Sequence, residues 1–328
     1  MNSVTPEPIM KIAMGFMAAK HLFTASAIGL FEALSDGPAS LEEIGQKTDV
    51  PPRTLGIIAA AMVSLGMIER SGNRYQNGAA AAAFLAGAGG PDIRPMLRFW
   101  NHISYPTWEK LEEAVRTGQG QAKFGGFSEQ EQQIFSQGVE SFSAGTAAAL
   151  AKAYDFGRHQ RVLDVGGGTG SFLLAILQHH KNLTGTLFEL PGACAVARQR
   201  LAQTPEASRI DVVEGSFFKD PLPGGHDVLV VANTVHVLSV AHNIELMKSM
   251  RGQVEKGARL LLVDLWTDPT YAEPPAASLM SGEFLVISGE GQAYSEQDAD
   301  GWLQQTGWRK VERKSLTGPA SLIVAEAV

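Results

Sequence analysis

The chain has 328 residues, 45% of them hydrophobic and 19% charged, which is enough for two domains with separate cores. Its formal net charge of −7 argues against a nucleic-acid binder, which normally carries a strongly basic face. Cys194 is the single cysteine, so neither an intrachain disulfide framework nor a thiolate metal cluster is available, and a reducing, cytoplasmic setting fits.

Residues 8–31 predict an amphipathic helix, with Ile9, Ile12, Phe16, Ala19, Leu22 and Phe23 for one face. Its run IAMGFMAA superficially resembles a signal-peptide core, but Lys20 and His21 interrupt it. No stretch reaches the roughly 18 apolar residues that a membrane span requires. SLEEIGQKTDV predicts a short helix with Ser40 as N-cap and Glu43 three residues on, a capping box. PPRTLGIIAAAMVSLGMIERS predicts a longer one opened by Pro51 and Pro52, and GNRYQNG predicts a hairpin tip. Helix, turn, helix and hairpin make a winged helix, expected as an all-helical domain over residues 1–90.

Winged helices often bind DNA, and the charges test that idea. Six cations face seven anions between Met1 and Gly90, and the helix that would read DNA offers Arg53 alone before Leu55, Ile57, Ile58, Met62 and Leu65. Phosphate contacts supply most DNA affinity, so this apolar helix set is expected to bury itself against another subunit.

GAGGP, residues 87–91, is the expected domain boundary. A helical linker over 91–155 follows, crowded with Phe99, Trp100, Tyr105 and Trp108. Within it TGQGQAKFGGFS is a glycine-rich break, and a further helix runs over about 129–154.

From Arg161 the pattern alternates strand and helix, which predicts a mostly parallel sheet covered on both faces, over residues 156–328. RVLDVGGGTGS places a strand and an acid, Asp164, before Gly166, Gly167, Gly168 and Gly170, and SFLLAILQHH then predicts a helix. Glycines suit a turn that a ligand approaches closely. The dinucleotide fingerprint wants a glycine at the sixth position from Gly166, where Ser171 stands. Asp164 would also repel a pyrophosphate. S-adenosylmethionine (SAM) has no phosphate and carries a sulfonium and an ammonium, so the charge argument favours SAM over NAD. GTLFELPG, IDVVEGSFF, HDVLVVANTVH and ARLLLVDLW supply four further strands, and WRKVERKSL with ASLIVAEAV predicts an antiparallel edge hairpin.

Glu189 ends the second strand about twenty residues after the glycine turn, where an acid accepts hydrogen bonds from ribose hydroxyls. Gly215, Ser216 and Phe217 end the third strand, a position that flanks an adenine. Leu190 and Asn233, in LFELPG and NTVH, complete the expected cofactor set with Asp164, Gly166, Gly168 and Gly170. His236 follows the fourth strand at the carboxyl edge of the sheet, where a neutral imidazole could take a hydroxyl proton as the oxygen attacks a methyl group. Asp264 ends the fifth strand and either orients His236 or caps the following loop. Trp100, His102, Tyr105, Met280 and Phe284 are candidates to line an acceptor pocket, against the commoner use of such residues as core. No set of His, Asp and Glu has metal-ligand spacing, so no metal is expected.

With these motifs in order, the chain resembles the SAM-dependent small-molecule O-methyltransferases, the acetylserotonin and caffeate methyltransferase group, over nearly its whole length. The resemblance implies a Rossmann-like class I methyltransferase domain behind a winged-helix dimerisation domain, a homodimer, His236 as general base, and linker aromatics that wall the substrate. Two positions depart from the family pattern: Val237 stands where an aspartate usually follows the histidine, and Ser216 where an aspartate usually meets the adenine. The expected reaction is methyl transfer from SAM to a hydroxyl of a small aromatic or polyketide-like molecule. Transfer to carbon, sulfur or nitrogen, a SAM-assisted reaction without methylation, and a SAM-responsive winged-helix regulator stay open as alternatives.

Overall fold

The computed structural model describes residues 4–87, 89, 91–121 and 127–328. Ala88 and Gly90 of the expected boundary, and residues 122–126 of the glycine-rich break, lie outside them. The chain divides into two compact units, Met1–Tyr105 with Glu129–Ser141, and Pro106–Ser128 with Phe142–Val328. The segment expected as a linker is thus shared between the two.

The first unit holds α1 (Glu7–Ala13), α2 (Gly15–Ala27), α3 (Leu30–Ala33), β1 (Ala39–Ser40), α4 (Leu41–Thr48), α5 (Pro52–Ser64), β2 (Ile68–Ser71), β3 (Arg74–Asn77), α6 (Ala79–Phe84) and α7 (Arg94–Phe99). The single helix expected over 8–31 is three, broken at Met14 and at Gly29, whose φ of 75° ends the helical path. Its apolar face is also divided. Phe23 is buried, whereas Ile9, Ile12 and Phe16 are 71%, 82% and 53% exposed. The capping box is formed: Ser40 Oγ accepts the Glu43 N–H at 3.3 Å, and Glu43 Oε2 accepts the Ser40 N–H at 2.6 Å. The predicted hairpin is β2 and β3, and β1 joins it in a three-stranded sheet, so the winged-helix unit is not all-helical. Leu30, Phe31, Ile44, Leu55, Met62 and Ile68 form its core, each apolar side chain contributing about 1.5–3 kcal/mol by burial.

Next come α8 (Tyr105–Trp108), α9 (Leu111–Thr117) and α10 (Glu129–Ala153), the last contributing to both units. The sheet-bearing part of the second unit runs β4 (Arg161–Val165), α11 (Ser171–His179), β5 (Thr184–Glu189), α12 (Pro191–Leu201), β6 (Ile210–Glu214), β7 (Val228–Ala232), α13 (Val240–Arg251), β8 (Arg259–Leu265), α14 (Pro275–Ser288), α15 (Glu296–Gln305), β9 (Trp308–Ser315) and β10 (Ala320–Ala327).

Seven strands lie in the order β6-β5-β4-β7-β8-β10-β9. β4 to β8 are parallel, and β10 pairs antiparallel with both β8 and β9, as the closing hairpin predicts. Alternation along each strand feeds two cores: Leu163, Leu229, Val231 and Leu262 on one face, Val162, Val228, Val230 and Leu261 on the other. That is why VLVVA of β7, with both faces covered, is continuously apolar and wholly buried. From β4 the chain turns first toward β5 and later crosses to β7. The order therefore reverses at β4, and the carboxyl ends of β4 and β7 flank the crevice where open α/β sheets hold ligands. Among the described residues no helix is long and apolar enough to cross a membrane.

Candidate active site

The glycine turn leaves β4 with Gly166, Gly168 and Gly170 at φ of 68°, 58° and 84°, conformations that residues with a Cβ rarely adopt. Gly167 has no room for a side chain, because a Cβ there would run into Leu187 and Asp164. The turn delivers the chain to α11 with Gly170 as the N-cap.

Two acids flank this turn. Asp164 lies beneath it, 0% exposed, so its carboxyl stands behind the backbone and not on the ligand face. Burial, helped by the nearby charge of Glu189 and opposed by the Leu173 amide in the first turn of α11, pushes the Asp164 carboxyl up to about 7. Glu189 ends β5, where its Oε2 accepts the Gly168 N–H at 3.0 Å and its Oε1 the Leu190 N–H at 2.7 Å. Leu190 is the N-cap of α12 and over half exposed.

This arrangement is a direct test of the ligand's charge. The Gly168 amide, which a phosphate would need, already belongs to a carboxylate, and a second acid sits behind the turn. A phosphate-bearing dinucleotide meets repulsion here, while a cationic nucleoside whose ribose needs an acceptor is matched. The residues present fit SAM.

Beyond β6, Ser216, Phe217 and Phe218 form a tight turn. Asp220 Oδ2 accepts the Ser216 N–H at 2.8 Å, so a carboxylate four residues on braces the turn that begins at Ser216. Phe217 is half-buried, edge-on to Phe218 with ring centroids 4.6 Å apart, and a Cβ on Gly166 would lie 3.5 Å from its Cε1. Phe217 thus borders the glycine turn. Gly215 is required because a Cβ would meet the Phe188 ring.

After β7 the chain enters a short 3₁₀ turn, Val235–Val237, that carries His236. Asn233 enters it at φ 54°, a left-handed conformation that asparagine tolerates, and its Nδ2 donates to Ser143 Oγ at 3.1 Å. Asn243, fully buried on α13, holds the turn by donating to the carbonyls of Val235 and Leu238 at 3.0 and 3.3 Å. His236 Nδ1 lies 2.6 Å from Asp264 Oδ1, and Asp264 Oδ2 accepts the His236 backbone N–H at 3.3 Å. Asp264 is 1% exposed and also accepts the Leu265 N–H at 2.7 Å. A carboxylate can only accept, so Nδ1 carries a hydrogen, and when the imidazole is neutral its lone pair lies on Nε2.

The imidazole stacks on Phe284 of α14, ring centroids 3.8 Å apart and planes 15° from parallel. Met280, one turn earlier, packs with Phe284, Leu265 and Ala293. Val237, next to the histidine, faces hydrocarbon from two clusters. The indole N–H of Trp108 donates to Glu283, a buried acid adjoining Phe284.

Trp100, His102 and Tyr105 lie in the first unit. Trp100 and Tyr105 pack against its core, with the Tyr105 ring beneath the Lys20 ammonium at 4.6 Å and edge-on to Phe23. His102 is exposed on a π-helical turn, Trp100–Ser104, a geometry common at functional sites. Sequence reasoning missed Asp220, Asn243, Trp108 with Glu283, and Gly291, whose added Cβ would overlap the His236 carbonyl. A polar residue on the apolar face of α13 was the available signal for Asn243; Gly291 gave none. Among the described residues no group of three or more His, Cys, Asp and Glu could hold a metal ion.

A parallel α/β sheet with a glycine turn after its first strand, an acid ending the second and a histidine–carboxylate pair after the fourth and fifth defines a nucleoside-cofactor enzyme. Comparison with known proteins makes this specific. Residues 108–309 match the O-methyltransferase domain model and residues 10–87 the O-methyltransferase dimerisation domain model. The 3-hydroxy-5-methyl-1-naphthoate 3-O-methyltransferase of Streptomyces sahachiroi is 32% identical over 323 residues, covering 96% of this chain and 93% of that protein. The tetracenomycin polyketide synthesis 8-O-methyl transferase TcmO of Streptomyces glaucescens is 26% identical, covering 97% and 96%. The crystal structure of human N-acetylserotonin methyltransferase in complex with SAM superposes with a TM-score of 0.89 at 24% identity, covering 99% of both chains. The chain belongs to the O-methyltransferase family. It is a SAM-dependent methyltransferase.

Proposed function

We propose that this enzyme methylates a hydroxyl group of a small aromatic or polyketide-like acceptor, with His236 as the general base. The observation that carries the reading is the His236–Asp264 pair at 2.6 Å, which gives the neutral imidazole its hydrogen on Nδ1 and its lone pair on Nε2 at the carboxyl edge of the sheet. Bound SAM supplies a methyl group made electrophilic by its sulfonium. Glu189 would accept the ribose hydroxyls, the turn from Gly166 to Gly170 would let the backbone approach the cofactor, and Phe217 would border the adenine.

His236 Nε2 accepts the hydroxyl proton as the acceptor oxygen becomes nucleophilic, and Asp264 stabilises the imidazolium that results. General-base help of this kind contributes about 10²–10⁴-fold, with a larger share coming from alignment of the reacting groups. The acceptor class is supported by the two bacterial relatives, whose names give a hydroxynaphthoate and a tetracenomycin polyketide. A homodimer is supported by the dimerisation-domain match and by the exposed apolar residues of α1 and α2. The lone cysteine, buried on α12, supports a reducing cytoplasmic setting.

The test is methyl transfer from labelled SAM to hydroxynaphthoates and polyketide phenols, with the methylated atom located by mass spectrometry and NMR. An O-methyl product that His236→Ala forms at least about a hundredfold more slowly supports the reading. Undiminished O-methylation by that variant near neutral pH would remove the base role, and methylation at carbon or nitrogen would replace the acceptor assignment.

A further inference from the structure

We propose that Phe284 is a positioning residue for His236, a platform that fixes the imidazole plane and steadies its protonated form. The inference deepens, and rests on, the reading of His236 as the base. Three sets of contacts carry it.

The first is the stack itself. A hydrogen bond from Nδ1 to Asp264 sets one edge of the imidazole but leaves the ring free to rock about that axis. Phe284, 5% exposed, lies parallel to it at 3.8 Å between centroids and removes that freedom. A cation over an aromatic face is attracted by the ring quadrupole, most strongly where water is excluded, so the stack favours the imidazolium over the neutral ring.

The second is the way Phe284 is held. Glu283, immediately before it, takes the Trp108 indole N–H, and Gly282 makes room for that indole, since a Cβ there would lie 2.8 Å from Cη2. Ser288 Oγ donates to the Phe284 carbonyl at 2.9 Å and accepts the Gly291 N–H at 3.2 Å. Gly291 in turn packs on the His236 carbonyl. The end of α14 and the loop after it therefore brace both the platform and the turn that carries the histidine.

The third is the charge around the ring. Asp264 approaches from β8. Glu283 on α14 is directed to Trp108, and Glu290 in the following loop pairs with His242 of α13 at 2.8 Å. Val237 adds hydrocarbon where a carboxylate could have stood. Among the described residues Asp264 alone is a carboxylate hydrogen-bonded to the imidazole, and the ring face of Phe284 supplies the remaining stabilisation.

Phe284→Leu keeps the bulk and loses the quadrupole, while Phe284→Tyr keeps the ring. The His236 titration is read by histidine NMR in the ligand-free protein, assigned with His236→Gln, and the pH profile of kcat/KM is read in parallel. In Phe284→Leu we expect His236 to titrate lower by half a pH unit to one unit, about three- to tenfold in proton affinity. The acid limb of kcat/KM should follow it and kcat should drop about tenfold with an unchanged KM for SAM, both restored in Phe284→Tyr. An unmoved titration, with the loss confined to the acceptor KM, would make Phe284 a pocket wall and overturn the proposal. A shifted titration in a protein whose His236→Ala variant retains full activity would uphold the platform and remove the base role instead, so the two readings fail separately.

Discussion

Nδ1 of His236 lies 2.6 Å from Oδ1 of Asp264, a contact that joins the 3₁₀ turn after β7 to the end of β8. The two strands are adjacent and parallel, with Ala232 beside Val263, so the register of the sheet brings the pair together. Asp264→Asn should separate charge from shape. An amide can donate to Nδ1, which moves the ring hydrogen to Nε2 and removes the basic lone pair from the reacting edge. We expect kcat to drop about 10²–10⁴-fold, with little change in SAM affinity or melting temperature. Steady-state kinetics alongside calorimetric SAM titration check both halves.

Gly291 predicts a different failure. A Cβ there would overlap the His236 carbonyl oxygen and come within 2.8 Å of Val237 Cα, both backbone atoms that cannot swing aside. Gly291→Ala is expected to lose about 1–3 kcal/mol of stability by overpacking and more than tenfold in kcat by displacing the imidazole. Denaturant unfolding and kcat at a temperature where the variant is fully folded separate the two effects.

Residues whose role depends on local pattern are legible in the amino-acid sequence. The glycine turn, the acid ending β5, the histidine after β7 and the capping box at Ser40 each lie within a few positions of the strand or helix that gives them meaning. The succession of β4 to β10 along the chain follows because buried strands and amphipathic helices write their periods into it, although the third strand stops at Glu214 and not at the residues 215–217 expected to end it. What the sequence does not display is how distant segments act on one another. Nothing near Gly291 hints that it packs on His236, and nothing near Trp108 hints at Glu283. Phe284 reads as an acceptor-pocket side chain, and nothing near it in the sequence hints that its ring stacks on the imidazole. Asp164 reads as a ligand-facing acid, because periodicity places it at the strand end without saying that the turn folds over it. Ile9, Ile12 and Phe16 have the spacing of a core face, and only the fold shows that the chain leaves them uncovered.

Asp164 makes stability depend on pH in a direction opposite to most carboxylates. Burial raises its carboxyl from an ordinary 3.8 to about 7, so the folded protein holds a proton there that the unfolded chain releases. The associated stability is complete below the ordinary carboxylate range and is lost as pH rises through 7. Asp164→Asn should therefore be more stable than the parent at pH 8, by up to about 4 kcal/mol, with the difference closing toward pH 4. Thermal melts across that range in the ligand-free protein give the comparison. A constant difference at every pH would mean that the carboxyl stays ionised beneath the turn.

α1 and α2 carry apolar side chains that the chain itself does not cover. α1 has no buried residue, yet Ile9 and Ile12 are 71% and 82% exposed, and Phe16 and Met17 of α2 are 53% and 45% exposed. Large apolar side chains exposed this close together in the chain are the kind of surface that marks an interaction site. The match to the dimerisation-domain model begins at residue 10 and includes Ile12, Phe16 and Met17, which points to a second copy as the cover. Burying each large side chain against a partner would contribute about 1.5–3 kcal/mol, whereas a carboxylate in the same place would have to be desolvated without a counter-charge. Ile12→Glu with Phe16→Glu should convert a dimer into a monomer at micromolar concentration, measured by sedimentation velocity. Its melting temperature should fall and lose the concentration dependence expected of the parent. A parent that sediments as a monomer at tens of micromolar would exclude this face as a stable interface between copies.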